Sequence, residues 1–271
     1  MMLPFALLLS IFMMAEHAAS AEQQAEQPLW EVGIAAGAAT LPQYMGSDER
    51  YFLAAPIPYL IYRGERLKID RSGISSELFG MRDLSLDVSL GIGLPVRNSN
   101  RARANMPELK FSLQVGPRLN WKLYEDRSRK LTLRLPYRAA INTAGNWLGW
   151  VSEPDITLQY QPRPDLNIKL TTGALFGSRL FHQTYYGVNQ LYATAVRPAY
   201  QASAGLHSLS LSTRVRYNLS DSLTLFSAIR YRNLSAGTVA NSPLVKDHDY
   251  LSATMGLTWS FWMSEQMVVT E

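Results

Sequence analysis

Hydrophobic residues recur at every second position in long stretches of this chain. The clearest stretch runs from Leu84 to Leu94, where Leu, Val and Ile alternate with Ser, Asp and Gly; residues 109–123 and 131–141 repeat the pattern. In a β-strand, a period of two places all apolar side chains on one face. No segment combines helix caps with a period of 3.6 residues. The chain is therefore predicted to be all-β, with long two-faced strands.

Strand length and connection length distinguish a membrane barrel from a soluble sandwich. Soluble strands average about 5–6 residues, whereas a tilted strand that crosses a bilayer needs about 9–11. Most segments here reach the longer figure. Short turns are predicted at 63–66, 125–129, 161–165 and 219–221, and long loops at 95–107, 143–153, 177–206 and 233–249. This alternation is typical of an outer-membrane barrel with tight periplasmic turns and longer external loops.

The number of strands follows from ten clear segments and one ambiguous region. The segments are 30–39, 51–62, 84–94, 109–123, 131–141, 154–161, 166–176, 207–218, 222–232 and 250–261. Within residues 66–80 the apolar side chains change from odd-numbered to even-numbered positions across Asp70–Gly73. This change indicates a turn between two short strands. We predict a transmembrane antiparallel up-and-down β-barrel of about twelve strands, with ten as the alternative. Pro117 and Pro136 count against this arrangement, because proline lacks the backbone N–H that would bond to a neighbouring strand.

Composition excludes several other classes. The 271 residues are 47% hydrophobic and 18% charged, without cysteine, and no uninterrupted apolar window reaches the roughly 18 residues of a membrane-spanning helix. The absence of cysteine excludes disulfides, thiolate zinc sites and a lipidated N-terminal cysteine. Residues 1–21 are predicted to be a signal peptide cleaved near Ala21, because a short apolar run precedes Ala19-Ser20-Ala21. The barrel is then expected at 22–261.

The last predicted strand carries a pattern of its own. Thr254, Gly256, Trp259 and Phe261 fit a polar-x-Gly-x-x-aromatic-x-aromatic arrangement that resembles the signal read by the outer-membrane assembly machinery. That pattern usually ends a chain. Here residues 262–271 continue past it, and we expect them to form a C-terminal periplasmic tail.

Four short motifs, in order along the barrel pattern, resemble the MipA/OmpV family. They are Tyr44-Met45-Gly46-Ser47-Asp48, Pro56-x-Pro58-Tyr59, Tyr185-Tyr186-Gly187-Val188 and Asn241-Ser242-Pro243-Leu244-Val245. The resemblance implies an outer-membrane β-barrel in a Gram-negative envelope, surrounded by outer-membrane lipid. It also implies a scaffold that binds a murein lytic transglycosylase and a murein synthase in some members, and adhesion or antibiotic response in others. It brings no catalytic residue with it.

The individual motifs have modest physical interpretations. Gly46-Ser47-Asp48 is predicted to form a tight turn, and Ser242-Pro243 to fix a loop that re-enters the last strand. Tyr185 and Tyr186 are expected to pack across the barrel mouth, with a sugar-stacking platform as the alternative.

Catalytic and metal chemistry find little support in the sequence. His182 and His248 fall in predicted external loops, and His207 begins a strand. Asp247-His248-Asp249 could orient and raise the pKa of its histidine, but no serine motif accompanies it and no ligand-like spacing surrounds it. We therefore predict a protein without catalytic, cofactor-binding or metal-binding residues.

In two consecutive strands, the polar positions that are predicted to face the barrel interior are strongly basic. Candidate lumen residues are Lys110, Arg118, Lys122, Arg134 and Arg138. Unpaired charges of one sign cannot be buried dry, so acids such as Glu77, Asp87 and Asp155 pair with them or water fills the lumen. The main hypothesis is a non-enzymatic scaffold at the cell envelope. The alternatives are an anion-selective channel and a lipid-modifying enzyme, and a role in nucleic-acid binding is not expected.

Overall fold

A computed structural model describes residues 26–63, 67–70, 73–76 and 79–269 of the chain. The predicted signal peptide and Glu77 lie outside the described residues. The strands are β1 (Glu26–Pro28), β2 (Trp30–Pro42), β3 (Arg50–Arg63), β4 (Leu67–Asp70), β5 (Gly73–Ser76), β6 (Phe79–Met81), β7 (Leu84–Gly93), β8 (Ser112–Glu125), β9 (Arg129–Pro136), β10 (Arg138–Asn142), β11 (Trp147–Ser152), β12 (Asp155–Arg163), β13 (Leu166–Gly177), β14 (Gly205–Asn218), β15 (Leu223–Asn233), β16 (Asp249–Met263) and β17 (Met267–Val269).

The large sheet is antiparallel and follows chain order around a barrel. Its hydrogen-bonding order is β7, β8, β9, β12, β13, β14, β15, β16, β2, β3, β4 and β5, and β5 lies beside β7. β10 extends β9 along β8, and β11 extends β12 along β13. The order confirms the predicted twelve-stranded antiparallel barrel, including the short hairpin in 66–80.

The register of the central strands separates two faces. Leu211, Tyr231 and Leu251 lie opposite one another on β14, β15 and β16, and all three are exposed on the outside. Their neighbours Ser212, Arg230 and Ser252 are also paired across the same strands and line the interior. Directly opposed residues share a face of a sheet. The outside is therefore apolar and the inside polar, as the period of two predicts.

The two ends of the barrel differ in their connections. Residues 126–128, 164–165 and 219–222 are tight connections at what we call the short-turn end. Residues 43–49, 94–111, 143–146, 178–204 and 234–248 form the connections of the long-loop end. In the first of the tight turns, the Asp126 carboxylate accepts from the backbone N–H groups of Ser128 and Arg129, at 2.8 Å each.

Two predicted boundaries around residues 131–153 are wrong. The strand predicted at 131–141 divides after Pro136, and the Tyr137 N–H donates to the Pro117 carbonyl at 2.9 Å. Pro136 pairs with Arg118, and Tyr137 lies beside Pro117, so two successive positions of the ladder each lack a proline N–H donor, which explains the break. The long loop predicted at 143–153 shrinks to 143–146, because 147–152 form β11. Gly149 makes this strand irregular, with φ of 98°.

The described residues include an α-helix that the sequence does not predict. Helix α1 (Arg179–Tyr186) follows β13, and the Ser178 hydroxyl caps it by accepting from the Phe181 N–H at 3.2 Å. The helix is short, so its 3.6-residue period is hard to recognise within a polar loop. In the part of the chain that the structure describes, no helix is long and apolar enough to cross a membrane.

The first and last described strands meet at the short-turn end. β16 extends to Met263, two residues past the predicted end at Phe261, and β17 then pairs antiparallel with β1. The Leu29 N–H donates to the Gln266 carbonyl at 2.8 Å, and the Ser264 N–H to the Trp30 carbonyl at 3.0 Å. The described part of the predicted tail is thus held in a small two-stranded sheet.

Candidate functional site

The loops of the long-loop end pack over the barrel mouth around a hydrophobic cluster, which we call the loop plug. Its buried members are Tyr44, Val96, Leu109, Tyr186, Leu234, Val239, Val245 and Tyr250. A second buried group, Ala102, Met106, Val188 and Leu244, extends the packing. Loops seldom bury side chains unless their backbone groups are also satisfied. The plug is therefore an ordered layer of the protein.

Three of the four family-like motifs meet in the loop plug. The Tyr44 hydroxyl donates to the Leu244 carbonyl at 2.7 Å, and the Tyr186 hydroxyl to the Met45 carbonyl at 2.8 Å. The Ser242 hydroxyl donates to the Tyr186 carbonyl at 2.7 Å. Each motif thus bonds to another across the barrel mouth, and Pro56-x-Pro58-Tyr59 lies apart from them in β3.

The remaining motif residues support the same packing. Gly46 has φ of 91°, a conformation that favours glycine, and its carbonyl accepts from the N–H groups of Lys246 and Asp247 at 2.7 and 3.1 Å. Gly187 ends α1 by donating its N–H to the Gln183 carbonyl. Asp48 is partly exposed and forms an ion pair with Arg101 at 3.4 Å. Pro243 lies between Ser242 and Leu244, which are both buried.

A chain of polar contacts runs beneath the aromatic cluster. The Arg232 guanidinium donates to the Ser208 hydroxyl at 2.8 Å, and that hydroxyl contacts Nδ1 of His207 at 2.8 Å. Nε2 of His207 then contacts the Tyr186 hydroxyl at 2.7 Å. Since the Tyr186 proton goes to Met45, one consistent assignment has Ser208 donating to Nδ1 and a neutral His207 donating from Nε2. Fully buried polar groups are thereby satisfied.

A β-bulge explains how His207 and Ser208 both turn inward. The register of β13 against β14 shifts between Leu175 and Phe176, so Leu175 pairs with Ser208 and Phe176 with Leu206. His207 is the unpaired extra residue, and a bulge redirects side chains in this way. Sequence parity alone places His207 on the outer face, which is why this histidine was not expected among the inner residues.

The titratable groups of the loops are strongly affected by burial. Burial raises the pKa of Tyr44 and of Tyr186, so both phenols remain protonated hydrogen-bond donors. Burial lowers the pKa of His182, while the hydrogen bond to the Ser203 carbonyl opposes that shift. Nδ1 of His182 lies 2.6 Å from that carbonyl. His182 is therefore held neutral inside the plug.

Two buried arginines fasten the loops through backbone carbonyls. Arg197 donates to the carbonyls of Tyr192, Ala102 and Ala104 at 2.9–3.2 Å. Arg103 donates to the Tyr185 carbonyl at 2.9 Å. Charge-assisted bonds of this kind are stronger than neutral ones. Neither residue was singled out from the sequence, because nothing local distinguishes them from surface arginines.

Inside the barrel, three of the predicted lumen residues form close ion pairs. Arg118 binds the Asp87 carboxylate through two bonds of 2.9 and 2.6 Å. Arg134 lies 2.7 Å from Asp155, and Lys122 lies 2.8 Å from Glu125. Asp87 and Asp155 thus neutralise two of these residues, which is the first of the two alternatives that the sequence left open.

The other two predicted lumen residues differ in position. Arg138 lies 3.9 Å from Glu153, which also accepts from Arg232 at 2.6 Å. Lys110 precedes β8 and is exposed at the long-loop end, so it does not join the inner basic face. The acid Glu153 was not expected to take part, because it was assigned to a loop.

A cavity of about 690 Å³ lies beneath the loop plug. Among the described residues, its charged lining consists of Arg138, Arg214, Arg230, Arg232 and one carboxylate, Glu153. Leu53 and Ile92 contribute apolar surface from β3 and β7. The cavity therefore combines an excess of positive charge with an apolar side.

The acidic histidine segment near β16 has a structural contact. Nε2 of His248 lies 3.0 Å from the Ala240 carbonyl, within the loop that joins β15 and β16. Among the described residues, no group of three or more His, Asp or Glu side chains is arranged to hold a metal ion. His248 therefore takes part in the fold of its own loop.

Comparison with known proteins gives one family match. The family described as MltA-interacting protein MipA matches residues 34–261. No curated protein matches the chain.

Several solved structures resemble the chain at low identity. The COG4313 outer-membrane channel from Pseudomonas putida F1 is 10% identical, with a TM-score of 0.46 over 90% of this chain and 100% of the channel. The outer-membrane channel DcaP of Acinetobacter baumannii is 10% identical, with a TM-score of 0.40 over 90% and 100%. The NanC porin is 9% identical, with a TM-score of 0.37 over 85% and 100%.

Proposed function

This chain belongs to the MltA-interacting protein MipA family, and from that premise we propose that it is a non-enzymatic outer-membrane scaffold. In this role it links a murein lytic transglycosylase to a murein synthase, as the family resemblance implies, and the family description names MltA as the interacting protein. Residues 1–21 direct export and are cleaved near Ala21. The short-turn end then faces the periplasm, and the long-loop end faces outward.

The outer surface supports a membrane location. Large apolar side chains on the outside of the strands are exposed, among them Leu135, Ile156, Leu211, Ile229 and Met255. Exposed aromatic residues collect towards the short-turn end: Trp121, Tyr124, Tyr160, Trp259 and Trp262. Contiguous apolar surface of this extent is unfavourable in water, and an aromatic girdle beside an apolar band is typical of a barrel in a bilayer.

The loop plug is the observation that favours a scaffold over an open pore. It covers the mouth with buried side chains and cross-loop hydrogen bonds. Below it, Arg118–Asp87 and Arg134–Asp155 neutralise much of the inner charge. A scaffold needs a rigid barrel and an accessible surface, and it has no need of a continuous lumen.

The surface that would receive the murein enzymes lies at the short-turn end. It combines the tight turns at 126–128, 164–165 and 219–222 with the sheet formed by β1 and β17. The β1–β17 sheet presents short strand edges that a partner can extend by β-augmentation. This gives the C-terminal residues a specific role in recruitment.

Affinity capture from detergent-solubilised envelopes tests the scaffold. The full-length chain is compared with a chain that ends at Met263, where β16 ends. Leu191→Ser serves as the control, because Leu191 is 80% exposed at the opposite end. We expect the transglycosylase to be recovered with the full-length and Leu191→Ser proteins and to be lost on truncation. Equal recovery with all three would remove the C-terminal sheet from the proposal, and no recovery with any of them would contradict the scaffold itself.

A substrate-selective channel is the second candidate, supported by the four cavity arginines against one carboxylate. Such a lumen attracts anions, since clefts lined by one sign of charge concentrate ions of the opposite sign. Single-channel recording in planar bilayers distinguishes the two functions. A channel predicts conductance steps with anion preference, and a plugged scaffold predicts none.

A further inference from the structure

The barrel wall has a lateral gap between β3 and β7, at the half nearer the long-loop end. β3 contains fourteen residues and β4 only four, and the two pair only at Tyr62 and Arg63. β7 pairs with β6 only at Leu84–Leu86. Within the described residues, Arg50–Pro58 therefore have no strand partner on the side away from β2. A side-chain bond from the Tyr51 hydroxyl to the Pro95 carbonyl, 2.6 Å, spans the gap near its upper end.

The inner face of β3 beside this gap is apolar, unlike the inner face of β14. Ala39 of β2 pairs with Leu53 and with Thr254, so Leu53 shares the inward face of Thr254, which lines the cavity. Every second residue then also faces inward, which includes Ala55 and Ile57. Leu53 and Ile57 are 46% and 61% exposed. By contrast, β14 presents serines and arginines inward.

The neighbouring strand presents small residues beside this apolar face, and the Phe226 ring lies over Gly37. The inward residues of β2 are small, with Gly37 and Ala39 next to Leu53 and Ala55. The outward face of β3 is apolar as well, with Phe52 75% exposed and Leu60 48% exposed. A strand that is apolar on both faces is expected where hydrocarbon contacts both of them, since the inner face of a water-filled lumen is polar.

The prolines of β3 fit an open edge. Proline lacks the backbone N–H that a ladder needs, so it is confined to edge strands and bulges. Pro56 and Pro58 both lie in the stretch of β3 that has a single strand partner. An edge in a bilayer is tolerated where it lines a cavity rather than bare lipid. The gap, the apolar inner face and the two prolines are separate observations that agree.

We propose that the gap is a lateral entry for a membrane lipid with an anionic headgroup, which places an acyl chain against Leu53, Ala55 and Ile57. This inference rests on the proposed membrane location. Charge complementarity identifies the headgroup, because the cavity that Leu53 lines is also lined by Arg138, Arg214, Arg230 and Arg232, with Glu153 as the one carboxylate among its described residues. On the opposite side of the entry, the inner residues of β7 are Gly91 and Gly93, which pack against the side chains of Gln114 and Tyr185.

Photocrosslinking in vesicles tests the entry. The full chain is reconstituted in phosphatidylethanolamine vesicles doped with phosphatidylglycerol, or with phosphatidylcholine, each carrying a diazirine on the acyl chain. Ala39→Trp fills the space beside Leu53. Ala38→Trp adds the same volume on the outer face of β2 and serves as the matched control. We expect crosslinks at Leu53, Ala55 and Ile57 with phosphatidylglycerol, fewer with phosphatidylcholine, and their loss in Ala39→Trp only.

A second variant keeps the test decisive if Ala39→Trp fails to fold. Arg230→Gln removes a cavity cation without adding volume, and it should abolish the preference for phosphatidylglycerol while crosslinks at the outward Phe52 remain. Crosslinks at Phe52 without any at Leu53, Ala55 or Ile57 would overturn the lateral entry and leave the membrane barrel intact. Crosslinks at neither face would contradict the membrane location and the entry together. Inner crosslinks that persist equally in Ala39→Trp and Ala38→Trp would also overturn the proposal.

Discussion

The hydroxyl of Tyr186, at the end of helix α1, lies 2.7 Å from Nε2 of His207 in the bulge of β14. This contact joins a loop residue of the plug to the inside of the barrel wall. Through Ser208 it continues to Arg232 and Glu153. The closing layer is therefore tied to the barrel by a buried polar chain as well as by hydrophobic packing.

Tyr186→Phe tests that link. The substitution removes the hydroxyl that donates to Met45 and contacts His207, and it leaves buried polar groups without their partner. We expect a loss of about 1–3 kcal/mol in the free energy of unfolding, measured as a lower midpoint of thermal unfolding in detergent micelles. Tyr192→Phe is the control, because Tyr192 contributes its backbone carbonyl to Arg197. Equal stability of the two variants would contradict the structural role of the Tyr186 hydroxyl.

Acidification is expected to loosen the loop plug through His182. Burial lowers the pKa of this histidine from its usual 6.5, so the unfolded chain binds the proton more tightly than the folded one. Its contribution to stability is complete above about pH 6.5 and is lost as the pH falls towards the lowered folded value. Protease cleavage of the loops should therefore increase between about pH 7 and pH 5. His182→Gln should weaken this pH dependence, whereas His248→Gln, at an exposed histidine, should leave it unchanged. The opposite result would show that His182 is not the group responsible.

A comparison of Gly46→Ala with Gly145→Ala distinguishes the effect of backbone strain on stability from the effect of packing in the loop plug. Gly46 and Gly145 both have positive φ, 91° and 78°. A Cβ at Gly46 would lie 3.2 Å from Leu234 and 3.3 Å from Val245, whereas nothing lies within 4 Å of a Cβ at Gly145. We expect Gly46→Ala to lower thermal stability by about 1 kcal/mol more than Gly145→Ala. Matching losses would indicate that only the backbone conformation matters at Gly46.

Breaking the inner ion pair should destabilise the barrel wall. Asp87→Asn leaves Arg118 without its bidentate partner, and the two side chains are only 11% and 24% exposed. Because the lumen partly screens the charge, we expect a loss of about 1–3 kcal/mol, below the cost for a fully buried pair. Asp83→Asn, where the carboxylate is 56% exposed and 3.7 Å from Lys122, should change little. The free energy of unfolding is measured in denaturant. Equal losses for the two substitutions would show that the Arg118–Asp87 pair is no more important than the exposed Lys122–Asp83 pair.

Local patterns predict the barrel well because strand formation has a local signature. The alternation of Leu84–Leu94 identifies β7, and the phase flip at Asp70–Gly73 identifies the hairpin of β4 and β5. The same patterns miss the break after Pro136, because it depends on which residues of β8 lie opposite Pro136 and Tyr137. They also fail at Trp147–Ser152, which was assigned to a loop although it continues the wall next to β13.

The candidate site is less accessible to sequence reasoning. The motif residues Tyr44, Tyr186 and Ser242 attract notice as a family resemblance, but their contacts join positions as far as 200 residues apart. His207, Arg103 and Arg197 have no local pattern that marks them as buried. Their roles follow from a bulge and from loop packing that exist only once the barrel closes.

The sequence by itself determined the strand class, the approximate strand number and the polarity of the two faces, since a period of two follows from the geometry of each strand alone. Tertiary structure decided how the loops cover the mouth and which acids neutralise the inner arginines. It also decided that β3 is longer than β4 and so keeps an open edge. Those features depend on contacts and relative lengths of segments that are distant in the chain, which no local periodicity encodes.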